Sequence, residues 1–419
     1  MITTDTPRHQ EVEKGRPRHL ESLITVPLPR IIFIALCLGA LAVIPPGFSQ
    51  EASIAPYATI NHDAVNYNGP GRDARHDLAG ADTRIGLLLP LSGPRQCEGE
   101  ALQRAAQLAV DEANATSLPG VNRLLLVVRD ESGPWGQASN QIVNLIFDDQ
   151  AVALITSGEG GSAHLAEQVG NKVGVPILAL STDSTTTEIN LPWIFRLGPT
   201  DAAQAQAFAA DIYQRRKLQR VVLLSQNDRD GGLGGDAFIK AAAALHVPAP
   251  VQIVVDPGKI DEALAGQALS DAQAIVIWAD APTAQHLAIR ARKLQSSVPI
   301  YLCRKGAQVG ASAEGHLHFS AGNSLNANPW IAAAPESPQA RADFYNRYRQ
   351  KFGTEPGITD AEAYDAVRIL AASLRQSGPN RVRLRDALAA VSAYAGASGI
   401  ITFDHAGNDT SKVAVLEFK

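Results

Sequence analysis

Between Arg84 and Cys303 the chain alternates short apolar runs with longer segments whose apolar residues recur at the 3.6-residue period of a helix. The runs are 84–89, 124–129, 152–155 and 176–180, then 220–225, 251–255, 274–279 and 299–303. Uninterrupted apolar runs suit parallel strands, because helices cover both faces of such a sheet. After the first run, Leu102, Ala105, Ala106, Ala109 and Ala113 share one helical face, while Gln103, Arg104, Gln107 and Asp111 share the other. Pro90 is expected to end the first strand by removing a ladder donor. The pattern predicts an α/β fold built from doubly wound parallel sheets. Eight strands exceed one comfortable domain, and WIFRLGPTDAAQAQ at 193–206 divides them into two sets of four. That segment is expected to cross between two lobes, with Thr200 or Asp201 as N-cap of the next helix.

Further along, a Pro-, Asn- and Ser-rich stretch after residue 320 precedes two long helical patterns, around 337–352 and from Asp360 to Ser377. Gly407 suits a left-handed turn position in a closing hairpin. At the other end, Arg30 precedes an apolar run over 31–44, of signal-peptide length but short of the ~20 residues that span a membrane. Pro45-Pro46 follows, and Gly47 and Ser49 put small residues at the minus 3 and minus 1 positions. Residues 1–49 are therefore expected to be a signal peptide cleaved after Ser49, giving a periplasmic or otherwise exported, soluble protein. Residues 50–82 show no apolar period and carry Asn, Gly, Pro and Asp throughout, so they are expected to form a linker or disordered lead.

Composition narrows the function. Lys plus Arg number 37 against 42 Asp plus Glu, with no basic run, so nucleic acid is not an expected partner. Aromatic residues make up only 5%, which favours helices packed closely on sheets. Beyond the leader, Cys97 and Cys303 remain. They are expected as two unpaired thiols, with a bond between them open as the alternative in an oxidising compartment. GxSxG, HExxH and a Walker loop are absent. Gly232-Leu233-Gly234-Gly235-Asp236-Ala237 does spell GxGxxA, with Asp256 at a later strand end. A dinucleotide loop needs its first glycine directly after the strand, however, and Gln226 to Gly231 intervene, so a nucleotide-using enzyme is the weaker alternative. His62 and His76 read as solvated, and His316 and His318 lack partners at ligand spacing. His164 is expected to be a solvated residue at a helix start, with ligand contact as the alternative. No cofactor and no metal are expected.

In an open α/β sheet the ligand lies beyond the carboxyl ends of the strands. Ser92–Gly99 follows the first run, Ser157-Gly158-Glu159-Gly160-Gly161-Ser162 the third and Ser181–Thr185 the fourth. Small residues at a helix start let backbone amides approach an anion, and Ser162 is also a candidate N-cap. The wording of the chain adds a resemblance. Pro90-Leu91-Ser92-Gly93-Pro94 with Gly99 and the ending Ala109–Asn114, then Phe195-Arg196, Pro199, Asp201 and Gln204, then Tyr364-Asp365-Ala366, and finally Gly399–Asp404 with Gly407-Asn408 occur in order. These segments resemble the type I periplasmic binding proteins of the leucine/isoleucine/valine-binding family, over the whole chain after residue 82.

The resemblance implies one lobe from 83–200 and 325–402, a second from 201–324 and 403–419, and a multi-strand hinge between them. It implies capture of a small polar ligand, amino-acid-like or carboxylate-bearing, and delivery by a monomer to an ABC transporter permease. The alternative is a sensing protein of the same fold that serves a receptor. Carried over residue by residue, Ser162, Ser181 and Thr182 would hold the ligand carboxylate, with Asp183 and Ser184 beside them, and Gly232–Ala237 would occupy the glycine turn of the second lobe. Other cleft positions depart from the amino-acid-binding pattern. Glu98 stands where an aromatic is frequent, Asp230 and Asp280 where tyrosine is common, and Lys305 where an acid receives an ammonium. A ligand is therefore expected to turn a carboxylate or neutral group to Lys305, and any cationic group to Glu98, Asp230 or Asp280.

Overall fold

The computed structural model describes residues 82–116, 123–133, 136–188, 191–265, 269–295, 297–307, 330–333 and 337–417. The expected signal peptide, all of the lead before Asp82, and His62, His76, His316 and His318 lie outside the described residues.

Two sheets organise the described chain. The first holds β1 (Thr83–Leu89), β2 (Leu124–Asp130), β3 (Ala153–Thr156), β4 (Ile177–Ala179) and β5 (Ile194–Arg196), all parallel in the order β2-β1-β3-β4-β5. Helices α1 (Gln96–Asn114), α2 (Gln137–Phe147), α3 (Gly160–Val173) and the single turn α4 (Thr185–Glu188) connect them. The second sheet contains β6 (Val221–Gln226), β7 (Val251–Val255), β8 (Ala274–Trp278), β9 (Ile300–Leu302) and β10 (Trp330–Ala333), with α5 (Asp201–Ala209), α6 (Arg229–Ala244), α7 (Ile260–Ala263) and α8 (Ala281–Leu294). The chain then runs through α9 (Pro338–Phe352), α10 (Ile358–Ser377), α11 (Arg381–Ala389), the short ladder of β11 (Tyr394–Ala395) and β12 (Ile400–Ile401), and β13 (Ala414–Glu417). The second sheet reads β13-β10-β9-β8-β6-β7, and β13 joins its edge antiparallel to β10.

Each of the eight expected runs carries a strand. The reason is visible in burial: Ile85, Leu87, Leu88 and Leu89 of β1 are covered on both faces, as are Ile275, Val276 and Ile277 of β8. On α1 the predicted stripe of Leu102, Ala105, Ala106, Ala109 and Ala113 is buried, and small side chains there let α10 lie close alongside. Leu370, Val367 and Ile369 of α10 complete that core, each contributing about 1.5–3 kcal/mol by burial. Thr200 caps α5, its hydroxyl accepting the Ala203 amide at 2.9 Å. Gly407 turns the hairpin Phe403–Asp409 at φ +84°, and a Cβ there would collide with the Ile194 carbonyl of β5.

Several expectations change. Trp330–Ala333 pairs with β9, so this segment belongs to the second sheet and not, as a boundary at 325 would have it, to the first lobe. Likewise Phe403 packs on Phe195 at 5.2 Å and Asn408 bridges Arg196, so the start of 403–419 belongs with the first sheet and only β13 with the second. Both corrections come from non-local strand pairing, which no local pattern encodes. The GxGxxA glycines form no turn: Asp228 caps α6 by accepting the Gly231 amide at 2.7 Å, and Gly231–Gly235 lie within that helix. They are small for packing, because a Cβ on Gly234 would enter the Trp278 indole and one on Gly231 the Gln226 carbonyl. Ser162 is not an N-cap; α3 starts at Gly160, with Glu159 in the cap position and no side-chain cap bond.

Candidate functional site

The carboxyl ends of the two sheets face one another, and every candidate residue lies just beyond such an end. From the first lobe come Arg95 and Glu98 after β1, Glu131 after β2, Ser157 to Ser162 after β3 and Ser181 to Ser184 after β4. From the second come Arg229 and Asp230 after β6, Asp280 after β8 and Lys305 after β9. Six of these side chains form one charged network. Arg95 grips Glu98 with two bonds, 2.8 and 2.7 Å, and reaches Glu159 Oε2 at 2.8 Å and Glu131 Oε1 at 3.8 Å. Lys305 Nζ lies 2.7 Å from Asp230 Oδ2 and 3.2 Å from Glu159 Oε2. Asp230 also accepts the Gly160 amide at 3.3 Å, at the start of α3. Nearby, Arg229 pairs with Asp183 and donates to Thr185 Oγ1 at 3.1 Å. The lobes are therefore drawn together by ionic contacts across the cleft, at a point where a Cβ on Gly160 would collide with Arg229, Asp183 and Asp230.

Burial governs the electrostatics. It pushes the Glu131 carboxyl up to about 7 despite Arg95 and the Ser157 and Ser162 hydroxyls, all of which favour the ionised form. Burial pulls the Lys305 ammonium down, but the charge of Asp230, with Glu159 and Glu98, outweighs it and leaves lysine more firmly protonated than usual. Asp183 feels burial too, yet its bonds from His164, Thr185 and Arg229 hold it well below the ordinary carboxylate range. His164 is raised to about 9 by its hydrogen bonds to Asp183 and Glu167. It is thus an ion-pairing residue of the first lobe and not simply a solvated one, its Nδ1 3.0 Å from Glu167.

The expected site residues divide by what occupies them. Glu98, Asp230 and Lys305 meet in the network just described. Ser162 lies beside Glu131, and Ser181 is fully buried, its hydroxyl accepting the Asp183 amide at 3.2 Å. Thr182 bonds Asp201, whose carboxyl burial raises to about 7. Ser184 turns away, donating to Glu188 at 2.7 Å on the exposed side. Asp280 is a helix cap, accepting Thr283 N at 2.9 Å and Gln226 Nε2 at 3.1 Å. Arg95, Glu131, Glu159 and Arg229 escaped the motif reading, although each stands within a few residues of a strand's carboxyl end, which is the signal that marks them. Cys97 and Cys303 are both free thiols, and burial pushes that of Cys303 up to about 12. Among the described residues there is no cluster of three metal-ligating side chains, and no helix is long and apolar enough to cross a membrane.

Residues 82–418 match the family model described as periplasmic binding protein. The chain belongs to that family. Within it the relatives include a Leu/Ile/Val-binding protein of Rhizobium johnstonii, 24% identical over 184 residues that cover 44% of this chain and 50% of that one. Glutamate receptor 3.4 of Arabidopsis thaliana is 25% identical over 43% of this chain and 19% of its own length. The chain thus spans half or less of these curated relatives. Among solved structures, a leucine-binding protein of Thermotoga maritima aligns with a TM-score of 0.69 and 20% identity, over 80% of this chain and 95% of that one. A solute-binding protein of an ABC transporter from R. palustris, in complex with benzoate, aligns with a TM-score of 0.70 and 19% identity, over 81% of this chain and 93% of that one. The fold is that of a type I periplasmic binding protein.

Proposed function

We propose that this periplasmic binding protein captures a small carboxylate-bearing solute between its lobes and delivers it, as an exported monomer, to an ABC importer. The observation that carries the reading is the meeting of Lys305 and Asp230 from one lobe with Glu159 and the Gly160 amide from the other. A ligand that touches both sides stabilises the closed arrangement by its differential affinity for it, and no bond chemistry is required. Ligand groups would meet Lys305, Glu98 and Asp230, with Ser162, Ser181 and Thr182 shaping the first-lobe edge, while Ser184 and Asp280 are engaged elsewhere. Relatives described with leucine and with benzoate support a small organic anion or zwitterion as the class of solute. A sensing role is favoured by one observation, the match to a plant glutamate receptor.

The test is mass spectrometry of the small molecule released on denaturing the purified protein, followed by calorimetry with that molecule. Lys305→Ala should weaken its binding by roughly 1.5–3 kcal/mol, the range of a charge-assisted hydrogen bond, and Lys305→Glu should abolish it. Parental affinity in both variants would remove Lys305 from the site. Co-purification with a permease complex would favour import over sensing.

A further inference from the structure

Four carboxylates and two cations crowd the centre of the cleft, and one carboxylate differs from the rest. Glu98 has both oxygens bonded by Arg95, and Asp230 is held by Lys305 and the Gly160 amide. Glu131 is sealed in, with 4% of its side chain exposed. Glu159 is 33% exposed, and its contacts with Arg95 and Lys305 both fall on the single oxygen Oε2. It is tethered from the cap position of α3 without capping that helix, so its side chain can swing into water and leave the helix intact.

Building on the solute-binding reading above, we infer that the point where Arg95 and Lys305 converge on Glu159 Oε2 is the seat of the ligand's carboxylate. Glu159 fills that seat in the ligand's absence, and the ligand is a small monocarboxylate without an ammonium group. Exchange of one carboxylate for another conserves the charge balance of a buried site, where an uncompensated cation is costly. The geometry suits such an exchange: a guanidinium from one lobe and an ammonium from the other lie 2.8 and 3.2 Å from a single oxygen, so whatever carboxylate replaces it bridges both lobes. Glu131 Oε2 is buried without a hydrogen bond among the described residues, and burial raises its carboxyl, so Glu131 competes less than a fully ionised carboxylate for Arg95. An ammonium is disfavoured, because Glu98 and Asp183 are already engaged by Arg95 and Arg229, and Asp230, whose Oδ1 has no hydrogen bond among the described residues, has the cations of Lys305 and Arg229 at 2.7 and 3.6 Å.

The test uses the full chain as wild type, Glu159→Ala and Glu159→Gln, with acetate, benzoate and leucine as probes and chloride at equal ionic strength as control. Acetate should raise the thermal midpoint of Glu159→Ala and leave wild type nearly unchanged, since it restores the missing bridge, whereas chloride should not. Benzoate should bind both variants about tenfold more tightly than wild type, the scale of one charged competitor removed, and leucine should gain nothing. Equal responses of variant and wild type to acetate and benzoate would overturn the seat. A gain for leucine equal to that for benzoate would overturn the ligand class. Acetate rescue of the variant in a protein that carries no solute and binds none as wild type would leave the seat standing and remove the transport reading instead. Glu159→Gln keeps the side-chain size, so misfolding of the alanine variant would not obscure the outcome.

Discussion

Replacing Gly160 by alanine should weaken lobe closure without weakening either lobe. A Cβ built there would lie 2.6 Å from Arg229 Nη1, 2.7 Å from Asp183 Oδ2 and 2.9 Å from Asp230 Oδ1, all inside the 3.0 Å that real Cβ atoms essentially never breach. Two of these atoms belong to the second lobe, so the methyl group acts as a wedge. Within the first lobe the Asp183 carboxylate end must shift, and the roughly 0.5–1 kcal/mol by which alanine is favoured over glycine in a helix offsets that cost. The wedge threatens the Gly160 amide bond to Asp230 at 3.3 Å and the Arg229–Asp183 pair. A hydrogen bond to a charged group is worth ~1.5–3 kcal/mol, and a pair as exposed as Arg229, at 42%, under ~1 kcal/mol. Because these side-chain ends can partly retreat, a net loss of about 1–2 kcal/mol on closure is expected, a 5- to 30-fold fall in solute affinity. Titration calorimetry with the co-purified solute measures it, and thermal unfolding without solute checks that the midpoint is unchanged or slightly raised. Affinity within twofold of wild type would refute the reasoning, and so would a lowered ligand-free midpoint.

Other outcomes follow from burial. Burial raises Glu131, Asp201 and Glu362 to about 7 and Asp365 to about 6, so the folded chain binds more protons than the unfolded one between the ordinary carboxylate range and those values. Their stability contribution is full below that window and lost as pH rises through it, so the thermal midpoint should fall from about pH 5 to about pH 8. Asp183, held low, acts oppositely and only on acidification. Glu131→Gln should raise the midpoint at pH 8 and not at pH 5, and a uniform change would show that Glu131 does not titrate in this window. The Arg304–Glu362 pair is 2.6 Å long, with both side chains 1% exposed, so Arg304→Met alone should cost about 3–5 kcal/mol by denaturant unfolding. Arg304→Met with Glu362→Leu should recover most of that loss, and additive losses would refute a coupled pair. Gly234→Ala should destabilise by about 1–3 kcal/mol through collision with Trp278, again read by denaturant unfolding. N-terminal sequencing of the exported protein should begin at Gln50, and recovery of residues 1–49 in it would refute cleavage after Ser49.

Local pattern determined much of this protein. The eight apolar runs mark where parallel strands form, most firmly in β1 and β8, which are covered on both faces, whereas the edge strand β7 admits Gln252 and leaves Val251 and Val254 exposed; the alanine stripe of α1 fixes which of its faces is buried. Thr200 and Gly407 were legible as cap and turn, since a cap oxygen and a positive φ are local requirements. Glu98, Asp230 and Lys305 were singled out by the family resemblance, as departures from its amino-acid-binding pattern. Tertiary structure decided the rest. β5, β10 and β13 are three or four residues long and owe their existence to neighbours distant in sequence, so the chain's passages between lobes could not be placed by pattern. Gly231–Gly235 spell a turn locally, yet the Asp228 cap starts a helix over them, and Gly231 and Gly234 stay small because the Gln226 carbonyl and Trp278 leave no room for a Cβ. Whether a charged loop residue is solvated or paired is also settled only when remote loops meet: Ser184 is engaged within its own segment and Asp280 by Thr283 and the more distant Gln226, while Lys305 is drawn against Glu159, 146 positions away, by an attraction that burial strengthens.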